Sequence, residues 1–432
     1  MDTSGQGLLS IYLPSLVLAG LCLFLVAYSL LKHQRNLINP IAFFVFLDLV
    51  AMGLLSAYSS IQGPASFGAS AAAISYTLWL HITYGVGVAV GYFTPKNPFQ
   101  CTFALGLTSL NFSPSGIHIK GAFWFLLLAG ALAAFLLLAR SDVENLLWIT
   151  SPREAYISLR TGFGHWWLLY QACVVLCFLI ALHVVAHSKH GKGLQLLVVG
   201  AAVLMMYFTG SKTAVLLVPI IAAIHHHFYR SKLPFSCLIG LAVATVTLFS
   251  ILLGPNGELG LFSGVIRYFA DYVSVTALAV DLIDFQGHTK GLSALSSLWY
   301  FVPRSLFPEK PFEYGATILH GTLFPGSAEL GHTPGILPWL VAYMDFGLLG
   351  IIAYSVILGS FIRAVYLEFL RTRDLGSFLL MTSFCFVPPL ASGSFALYIL
   401  LAVILWIIFG KLEPNFRNRR QLSDSGTHAS FN

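Results

Sequence analysis

Residues 166–186 read WWLLYQACVVLCFLIALHVVA, a stretch with no Asp, Glu, Lys or Arg. An α-helix needs about 20 consecutive apolar residues to cross the hydrocarbon core of a bilayer, which is about 30 Å thick. The stretch is long enough and apolar enough to do this. It therefore predicts a membrane-spanning helix.

Similar apolar stretches, separated by polar residues, recur along the chain. A shorter one at 99–112 ends beside Ser113 and Pro114, and the sequence leaves open whether it spans the membrane, re-enters it or lies in the interface. The chain is predicted to be an all-α polytopic integral membrane protein with about 11–12 transmembrane helices. The predicted spans lie at about 8–31, 40–60, 72–93, 121–139, 166–186, 194–209, 212–229, 235–253, 336–360, 377–391 and 393–410.

The composition of the chain supports this prediction. Of its 432 residues, 57% are hydrophobic and only 9% are charged, whereas a soluble domain carries about 25% charged residues. These values exclude an ordinary soluble enzyme, a disordered chain, a collagen and a disulfide scaffold. The cysteines lie mainly inside apolar runs, so they are predicted to be small core residues, and the Cys173/Cys177 pair is a weak metal signal.

Basic residues predict the orientation, because cytoplasmic loops are enriched in Lys and Arg. The loops at 187–193, 230–232, 363–373 and 411–420 are basic and fall on one side if the later spans alternate, which predicts a cytoplasmic C-terminus. The side on which Lys32 lies depends on whether 99–112 spans.

Four regions follow from this topology. Residues 1–253 hold transmembrane helices with a smaller outer loop at 140–165, and 254–335 form a large outer loop that is too aromatic for disorder and is expected to fold over the membrane face. Residues 336–410 are C-terminal transmembrane helices, and 411–432 are a polar, disordered cytoplasmic tail. The basic residues predicted on the outer side are Arg140, Arg153, Arg160, Lys212, Arg267, Lys290, Arg304 and Lys310.

The large loop is predicted to contain an amphipathic helix over Arg267–Asp284. Helical spacing puts Arg267, Asp271, Ser274 and Asp281 along one stripe. This stripe is either a solvated face with an Arg267–Asp271 ion pair or a place where Arg267 meets an anionic ligand.

A proline-rich run follows at 298–311, LWYFVPRSLFPEKP. Its three prolines predict an extended, rigid path that presents Arg304 and Lys310 among Trp299, Tyr300 and neighbouring phenylalanines. Guanidinium groups suit phosphate and aromatic rings suit sugars, so the run predicts a ligand with both, while an interfacial aromatic belt with snorkelling cations is the alternative.

The segment Val302-Pro-Arg-Ser-Leu-Phe-Pro-Glu-Lys-Pro311 resembles the Pro-Arg-Ser-Leu-Trp-Pro-x-Lys-Pro signature of bacterial oligosaccharide repeat-unit polymerases, the O-antigen polymerase family. Phe307 replaces a tryptophan of that signature, and Lys212 stands where arginine is frequent. Three other segments resemble the family: Thr209-Gly-Ser-Lys-Thr213, Arg153-Glu-Ala-Tyr-Ile-Ser-Leu-Arg160, and Thr333-Pro-Gly335 followed by Tyr343-Met-Asp-Phe-Gly347 and Gly350.

The resemblance implies a GT-C-like glycosyltransferase of the bacterial inner membrane, with a periplasmic active site. It would transfer a growing glycan from one undecaprenyl diphosphate carrier to a new lipid-linked repeat unit, alongside a chain-length regulator and a flippase. Arg304 and Arg267 are expected to stabilise the diphosphate leaving group, with Asp271 as the first choice of base ahead of His332, Glu313 and His320. The expected substrate-binding residues are Arg160, Arg153, Lys310, Lys212, Trp299, Tyr300 and His332.

Other signals in the sequence carry less weight. His225, His226 and His227 are successive on a helix and point about 100° apart, so they cannot converge on one metal ion. Asp48 is expected to pair internally and His81 to lie near an interface. No phosphate loop, nucleotide fingerprint or zinc spacing occurs, so neither a cofactor, a metal nor nucleic acid is expected. An O-antigen ligase and a transporter of a polar or anionic solute remain alternatives.

Overall fold

The computed structural model describes residues 5–32, 38–62, 68–94, 116–140, 145–152, 154–155, 164–186, 191–234, 236–237, 240, 243–244, 247, 261–302, 306–311, 313–315, 318–324, 335–386 and 394–409. All regular secondary structure in these ranges is helical. The helices are α1 Gly5–Lys32, α2 Pro40–Phe44, a π-helix Val45–Leu55, α3 Ser56–Gln62, α4 Ala71–Phe93, α5 Gly116–Arg140, α6 Asn145–Thr150, α7 Gly164–Ala186, α8 Gly191–Tyr207, α9 Lys212–Tyr229, α10 Leu261–Gln286, α11 Leu292–Ser296, a 3₁₀-helix Ser297–Phe301, α12 Ile318–Leu323, α13 Leu340–Thr372, α14 Leu375–Phe386 and α15 Ser394–Phe409.

Five helical stretches are long and apolar enough to cross a membrane: Ser10–Lys32, Pro40–Ser60, Ala71–Phe93, Gly164–Ala186 and Leu340–Thr372. Shorter apolar helices lie at Phe123–Ala139, Gly193–Tyr207, Ala214–Tyr229, Leu375–Phe386 and Leu397–Trp406. Each coincides with a predicted apolar stretch, so the prediction of an all-α, multi-pass membrane protein is confirmed for the described residues. Most of 235–253, all of 99–112 and the tail 411–432 lie outside them.

The ends of several helices meet at one end of the bundle. The hydroxyl of Tyr229 donates to the backbone oxygen of Asp374 at 3.2 Å, and Trp406 Nε1 donates to the carboxylate of Asp374 at 2.5 Å. The ring of His183 lies 5.0 Å from that of Tyr229. The ends of α7, α9, α13 and α15 therefore lie together, as predicted for the basic loops. We call this the basic end, since the described residues there include Arg230, Lys232, Arg363, Arg371 and Arg373.

Helices α1 and α4 also finish at the basic end. A guanidinium nitrogen of Arg363 donates to the backbone oxygen of Tyr92 at 3.1 Å, near the last turn of α4. The ring of Tyr28 in α1 lies 4.6 Å from that of Phe93. Lys32, the last residue of α1, is therefore grouped with the other basic helix ends.

Helix α5 starts at the basic end and runs antiparallel to α7. Cys177 Sγ lies 3.8 Å from the backbone oxygen of Phe123, and a Cβ at Gly130 would lie 3.1 Å from the Cβ of Cys173. The end of α4 and the start of α5 therefore lie at the same end of the bundle, and the predicted short stretch 99–112 between them lies outside the described residues.

Helices α4 and α13 approach each other closely. Gly87 and Gly91 form a Gly-x-x-x-Gly pair on α4, and Ser355 and Gly359 lie opposite them. A Cβ at Gly91 would lie 2.9 Å from the backbone nitrogen of Ser360. The hydroxyl of Ser360 donates to the backbone oxygen of Gly91 at 3.3 Å. Small residues at this spacing let the backbones of membrane helices come into contact.

Helix α13 reverses its direction at Gly347, whose φ of 61° and ψ of −145° are not helical. Eight residues of a straight helix advance about 12 Å, yet a Cβ at Gly350 would lie only 2.9 Å from the carbonyl carbon of Ala342. The first two turns of α13 therefore fold back against the long second arm. A Cβ at Gly347 would also lie 2.9 Å from Nε2 of His288, so glycine is required at this reversal by both its backbone conformation and its surroundings.

The predicted helix over Arg267–Asp284 is confirmed as part of α10, but its middle does not face solvent. Every residue from Val273 to Ala277 is buried, including Ser274. The backbone nitrogen of Val273 donates to Ser56 Oγ at 2.9 Å. The interpretation as a solvated polar stripe is therefore wrong at its centre, because α3, the π-helix and α4 pack around the helix.

The residues that follow the predicted large loop also enter the bundle. The backbone nitrogen of Leu337 donates to Thr276 Oγ1 at 2.9 Å, and the indole of Trp339 reaches His81 within α4. Leu337 and Trp339 are both fully buried. The chain that leaves the predicted loop 254–335 is therefore held against α10 and α4 within the bundle.

Part of the predicted extended run at 298–311 is helical instead. Residues Ser297–Phe301 form a 3₁₀-helix, and Val302 ends it with φ −87° and ψ 113°. Extended backbone is the conformation favoured before a proline, and Pro303 follows. The first proline thus stops the helix but does not straighten the residues before it.

Candidate functional site

Several of the predicted site residues cannot be placed in detail. Arg304, Arg153, Arg160 and His332 lie outside the described residues. For Arg267, Lys212 and Tyr300 the backbone is helical, in α10, α9 and the 3₁₀-helix respectively, while their side chains lie outside the described part of the structure. Asp271, Trp299 and Lys310 are described with their side chains.

Lys310 and Trp299 belong to one compact turn around the proline run. The amine of Lys310 donates to the backbone oxygen of Val302 at 2.9 Å and lies 4.9 Å from the ring centroid of Tyr314. The rings of Trp299 and Phe307 are 6.3 Å apart. These contacts tie together the two ends of the run that contains Arg304, so its flanks are fixed even though 303–305 are not described.

Asp271 lies on α10 apart from that turn. It is half-buried, and its backbone oxygen accepts from Ser274 Oγ at 3.3 Å. Four residues separate it from Arg267, about 6 Å along the helix axis, which keeps the two on neighbouring turns as predicted. Within the described part of the chain, no hydrogen bond or ion pair joins Asp271 to Lys310.

Asp281 does not belong to the same site as Arg267. Fourteen residues of helix place it about 21 Å farther along α10, close to Asp284, whose carboxylate accepts from Tyr343 OH at 2.7 Å. Partial burial, and after it the Asp284 carboxylate, raises the pKa of Asp281. Two carboxylates at this end of α10 would repel a diphosphate, so an anion site on α10 has to lie towards Arg267.

The turn Thr209–Thr213 is confirmed, and it meets the helices that flank the smaller outer loop. Gly210 has a φ of 68°, and Ser211 caps α9 by accepting from the backbone nitrogen of Ala214 at 3.3 Å. Trp167 Nε1 donates to the backbone oxygen of Thr209 at 3.0 Å. The backbone before Lys212 is therefore held against the helix that follows the loop carrying Arg153 and Arg160.

A second polar group lies inside the membrane helices. Trp339 Nε1 donates to His81 Nδ1 at 3.0 Å, and His81 Nε2 lies 3.1 Å from the backbone oxygen of Asp48. Because Nδ1 accepts a hydrogen bond, Nε2 carries the proton and donates. The carboxylate of Asp48 accepts from Tyr84 OH at 3.2 Å. The expected internal pairing of Asp48 is confirmed, and the ring of His81 is fully buried within the protein.

This group, which we call the Asp48 network, also lies on unusual backbone. Asp48 belongs to the π-helix Val45–Leu55, and π-helical turns are frequent at functional sites. The sequence shows both Asp48 and His81 as ionisable residues inside predicted spans, which is itself a signal of function or of specific pairing. It does not show that Trp339, far away along the chain, would complete the arrangement.

Sequence reasoning missed the role of Asp345, which lies next to the reversal at Gly347. Its carboxylate is buried and accepts from Thr289 Oγ1 at 2.5 Å and from the backbone nitrogens of Ser293 and Ala294, each at 3.0 Å. It thereby joins α13 to the start of α11. Asp345 belongs to the Tyr343–Gly347 segment, where a carboxylate between apolar residues was the available signal.

The three successive histidines point to different partners. His226 Nδ1 lies 3.1 Å from Gln195 Oε1, His227 Nδ1 accepts from the backbone nitrogen of Leu233 at 3.1 Å, and the ring of His225 stacks on Tyr229 at 4.3 Å. The prediction that they do not converge is confirmed. Among the described residues, no cluster of three or more His, Cys, Asp or Glu side chains is arranged to hold a metal ion.

Comparison of the chain with protein-family models, with curated proteins and with solved structures finds no match. The function of the protein therefore has to be argued from its own residues and from the motifs they form.

Proposed function

We propose that the protein is a membrane glycosyltransferase that polymerises oligosaccharide repeat units carried on undecaprenyl diphosphate, as implied by its resemblance to the O-antigen polymerase family. The observation that carries the proposal is the run Val302–Pro311, which resembles the family signature with Phe307 in place of its tryptophan. Its two ends are held together by the hydrogen bond from Lys310 to Val302. Fixed flanking residues favour a charge-stabilising role for Arg304, since preorganised groups lose no energy to reorganisation during reaction.

The chemistry requires positive charge at the leaving group. A hydroxyl of the acceptor glycan attacks the anomeric carbon of the donor, the bond from that carbon to the diphosphate oxygen breaks, and negative charge grows on the diphosphate. In the proposal Arg304 and Arg267 stabilise that charge, Asp271 accepts the proton of the attacking hydroxyl, and Lys310 and Lys212 contribute secondary charge. The aromatic faces of Trp299 and Tyr300 contact sugar rings.

The distribution of basic residues supports an orientation for this reaction. The basic end holds arginines from several helices, and basic residues are enriched on the cytoplasmic side of membrane proteins. In the proposal the basic end faces the cytoplasm of a bacterial inner membrane, and the opposite end, which carries Gly347 and α11, faces the periplasm. A chain-length regulator and a flippase would act with the enzyme there.

The test is a gene deletion followed by complementation, with the surface glycan separated on a gel. Deletion is expected to leave single repeat units on the lipid core instead of a ladder. Arg304→Ala should fail to restore the ladder, because loss of one charge-stabilising donor lowers turnover by about 10²–10³-fold. Arg267→Ala should fail in the same way while both variants still insert into the membrane.

Lys232→Ala is the control, since Lys232 is an exposed cation at the basic end. It should restore the full ladder. Loss of all capped core after deletion would instead assign a ligase, and an unchanged gel would refute both activities. A normal ladder with Arg304→Ala would remove that residue from the diphosphate site.

The Asp48 network favours a second candidate function, transport of a polar or anionic solute. Ionisable side chains within spans often mark substrate or proton pathways, and transporters use interrupted helices such as α13. Asp48→Asn distinguishes the two functions, because asparagine can still accept the hydrogen bond from Tyr84 but cannot carry charge.

Under the polymerase proposal Asp48→Asn keeps the ladder, while Asp48→Leu lowers the amount of folded protein because Tyr84 OH is left without its acceptor, a cost of about 1–3 kcal/mol. Ladder length and the fraction of monodisperse protein after heating in detergent measure these outcomes. If Asp48→Asn inserts normally but abolishes uptake of a labelled solute, the transport function is supported and the network is not merely structural.

A further inference from the structure

In α11 and the 3₁₀-helix after it, leucine side chains are exposed while a serine side chain is buried. Leu292, Leu295 and Leu298 recur every third residue and are 68%, 62% and 63% exposed. Ser293, between the first two, is 1% exposed. In a soluble protein the leucines of such a helix would face the interior and the serines would face water.

The polar side of this segment is satisfied by the protein. The backbone nitrogen of Ser293 donates to the buried carboxylate of Asp345 at 3.0 Å, and Ser296 Oγ accepts from the backbone nitrogen of Gly315 at 2.7 Å. Ser297 Oγ lies 3.4 Å from the backbone oxygen of Ser293. These contacts fix the rotation of the segment, so the leucines cannot turn inward without breaking them.

The exposed leucines adjoin exposed apolar side chains of α13. Phe346, Leu348 and Leu349, around the reversal of α13, are exposed side chains on a helix long and apolar enough to cross the membrane. A Cβ at Gly291, one residue before Leu292, would lie 3.4 Å from Cζ of Phe346. The two sets of apolar side chains therefore adjoin.

A continuous apolar patch of this kind has a physical meaning. Single exposed hydrophobic residues are normal on any protein, but contiguous patches mark an interaction surface. Here the patch begins on a membrane helix and extends onto α11, and Leu306 and Phe307 beyond the 3₁₀-helix are also exposed. Apolar side chains exposed on a helix that crosses a membrane contact the bilayer, so the bilayer is the occupant that fits this patch.

We propose that the segment 292–298 lies in the bilayer interface at the end of the bundle opposite the basic end, with Leu292, Leu295 and Leu298 in contact with lipid acyl chains. An interfacial helix buries its apolar face at the boundary between headgroups and acyl chains while its polar face stays outside the hydrocarbon. In this protein the polar face is docked on Asp345 instead of being hydrated. The inference does not depend on the proposed function, and it places the turn around Lys310 next to the lipid headgroups.

The experiment measures the surroundings of a nitroxide label on the full chain in phospholipid vesicles. Cysteine replaces Leu295 in one variant and Leu298 in a second, and the unsubstituted chain, labelled on its native cysteines, is the blank. Oxygen concentrates in lipid and a nickel chelate stays in water. We expect both labels to collide more with oxygen than with nickel.

Two further variants calibrate the result. Leu349→Cys provides the lipid-facing reference, and Glu309→Cys, an exposed position in the same loop, provides the water-facing reference. Labels at 295 and 298 that behave like the one at 309 would overturn the proposal. Weak collisions with both reagents would overturn it too, because they would mean that protein, such as a second copy of the chain, covers the leucines.

Discussion

Replacing Gly91 with leucine is expected to stop α4 and α13 from packing and to remove most of the folded protein from the membrane. A Cβ at this position would overlap the backbone oxygen of Val356 and lie 2.9 Å from the backbone nitrogen of Ser360. These are backbone atoms of a buried helix, so no side chain can rotate to make room. Overpacking a core costs about 1–3 kcal/mol, and leucine adds several atoms where not even one fits.

The same result is expected from the other side of the contact. A Cβ at Gly359 would overlap the backbone oxygen of Val88 and lie 2.9 Å from the nitrogen of Tyr92. Gly20→Leu is the matched control, because Gly20 is exposed on α1 and a Cβ there meets nothing within 4 Å. Each variant is measured as the yield of monodisperse protein in mild detergent and its thermal midpoint. If Gly91→Leu matches Gly20→Leu in both, the close crossing is refuted.

The membrane helices were predictable because hydropathy acts on each segment separately. A stretch such as 166–186 is apolar enough to span the membrane whatever lies beside it. The basic residues near 230 and 370 indicate the side of the membrane on which they lie, whichever residues they contact. The helix over 267–284 was predictable for the same reason, from local periodicity alone. Its burial was not, because the helix packs against α3 and α4, which are distant in sequence.

Contacts between distant segments account for what the sequence left unpredicted. The Gly-x-x-x-Gly pair at 87 and 91 was visible, but its partner, Ser355 and Gly359, was not. Gly347 and Gly350 could be noted in the sequence, whereas the reversal they allow depends on His288 and on the first turns of α13. The extended path predicted for 298–311 failed because the prolines constrain only the residues next to them, which leaves Ser297–Phe301 free to form a 3₁₀-helix.

The residues proposed for the reaction could be identified from the sequence, whereas their arrangement could not. Residue type and motif identify Arg304, Arg267 and Lys310 as candidates, because guanidinium and amine groups suit a diphosphate wherever they occur. The structure adds the hydrogen bond from Lys310 to Val302. It also shows that Asp281 lies about 21 Å from Arg267 along α10. The proposed site therefore depends on how firmly the large loop is fixed to the membrane helices, and Asp345 makes that attachment.

Replacing Asp345 with alanine is accordingly expected to detach α11 from α13. The carboxylate satisfies three donors, Thr289 Oγ1 and the backbone nitrogens of Ser293 and Ala294, and each buried donor left unpaired costs about 1–3 kcal/mol. Asp345→Asn should lower the stability of this attachment less, since the amide oxygen of asparagine can still accept a hydrogen bond while its amide nitrogen faces another donor. The exposed Lys290, whose backbone nitrogen donates to the oxygen of Asp345 at 3.0 Å, provides a local probe.

Trypsin cleavage after Lys290 in detergent should be faster with Asp345→Ala than with the unsubstituted chain, and intermediate with Asp345→Asn, because a peptide bond is cut only when its segment opens. Asp281→Ala is the control: that carboxylate is exposed on the same side of the bundle and caps no helix, so cleavage should not change. The Lys290→Gln variant removes the cleavage site, so the fragment missing from its digest is the one produced by cleavage after Lys290. Equal cleavage rates in all variants would show that the loop is held by other contacts.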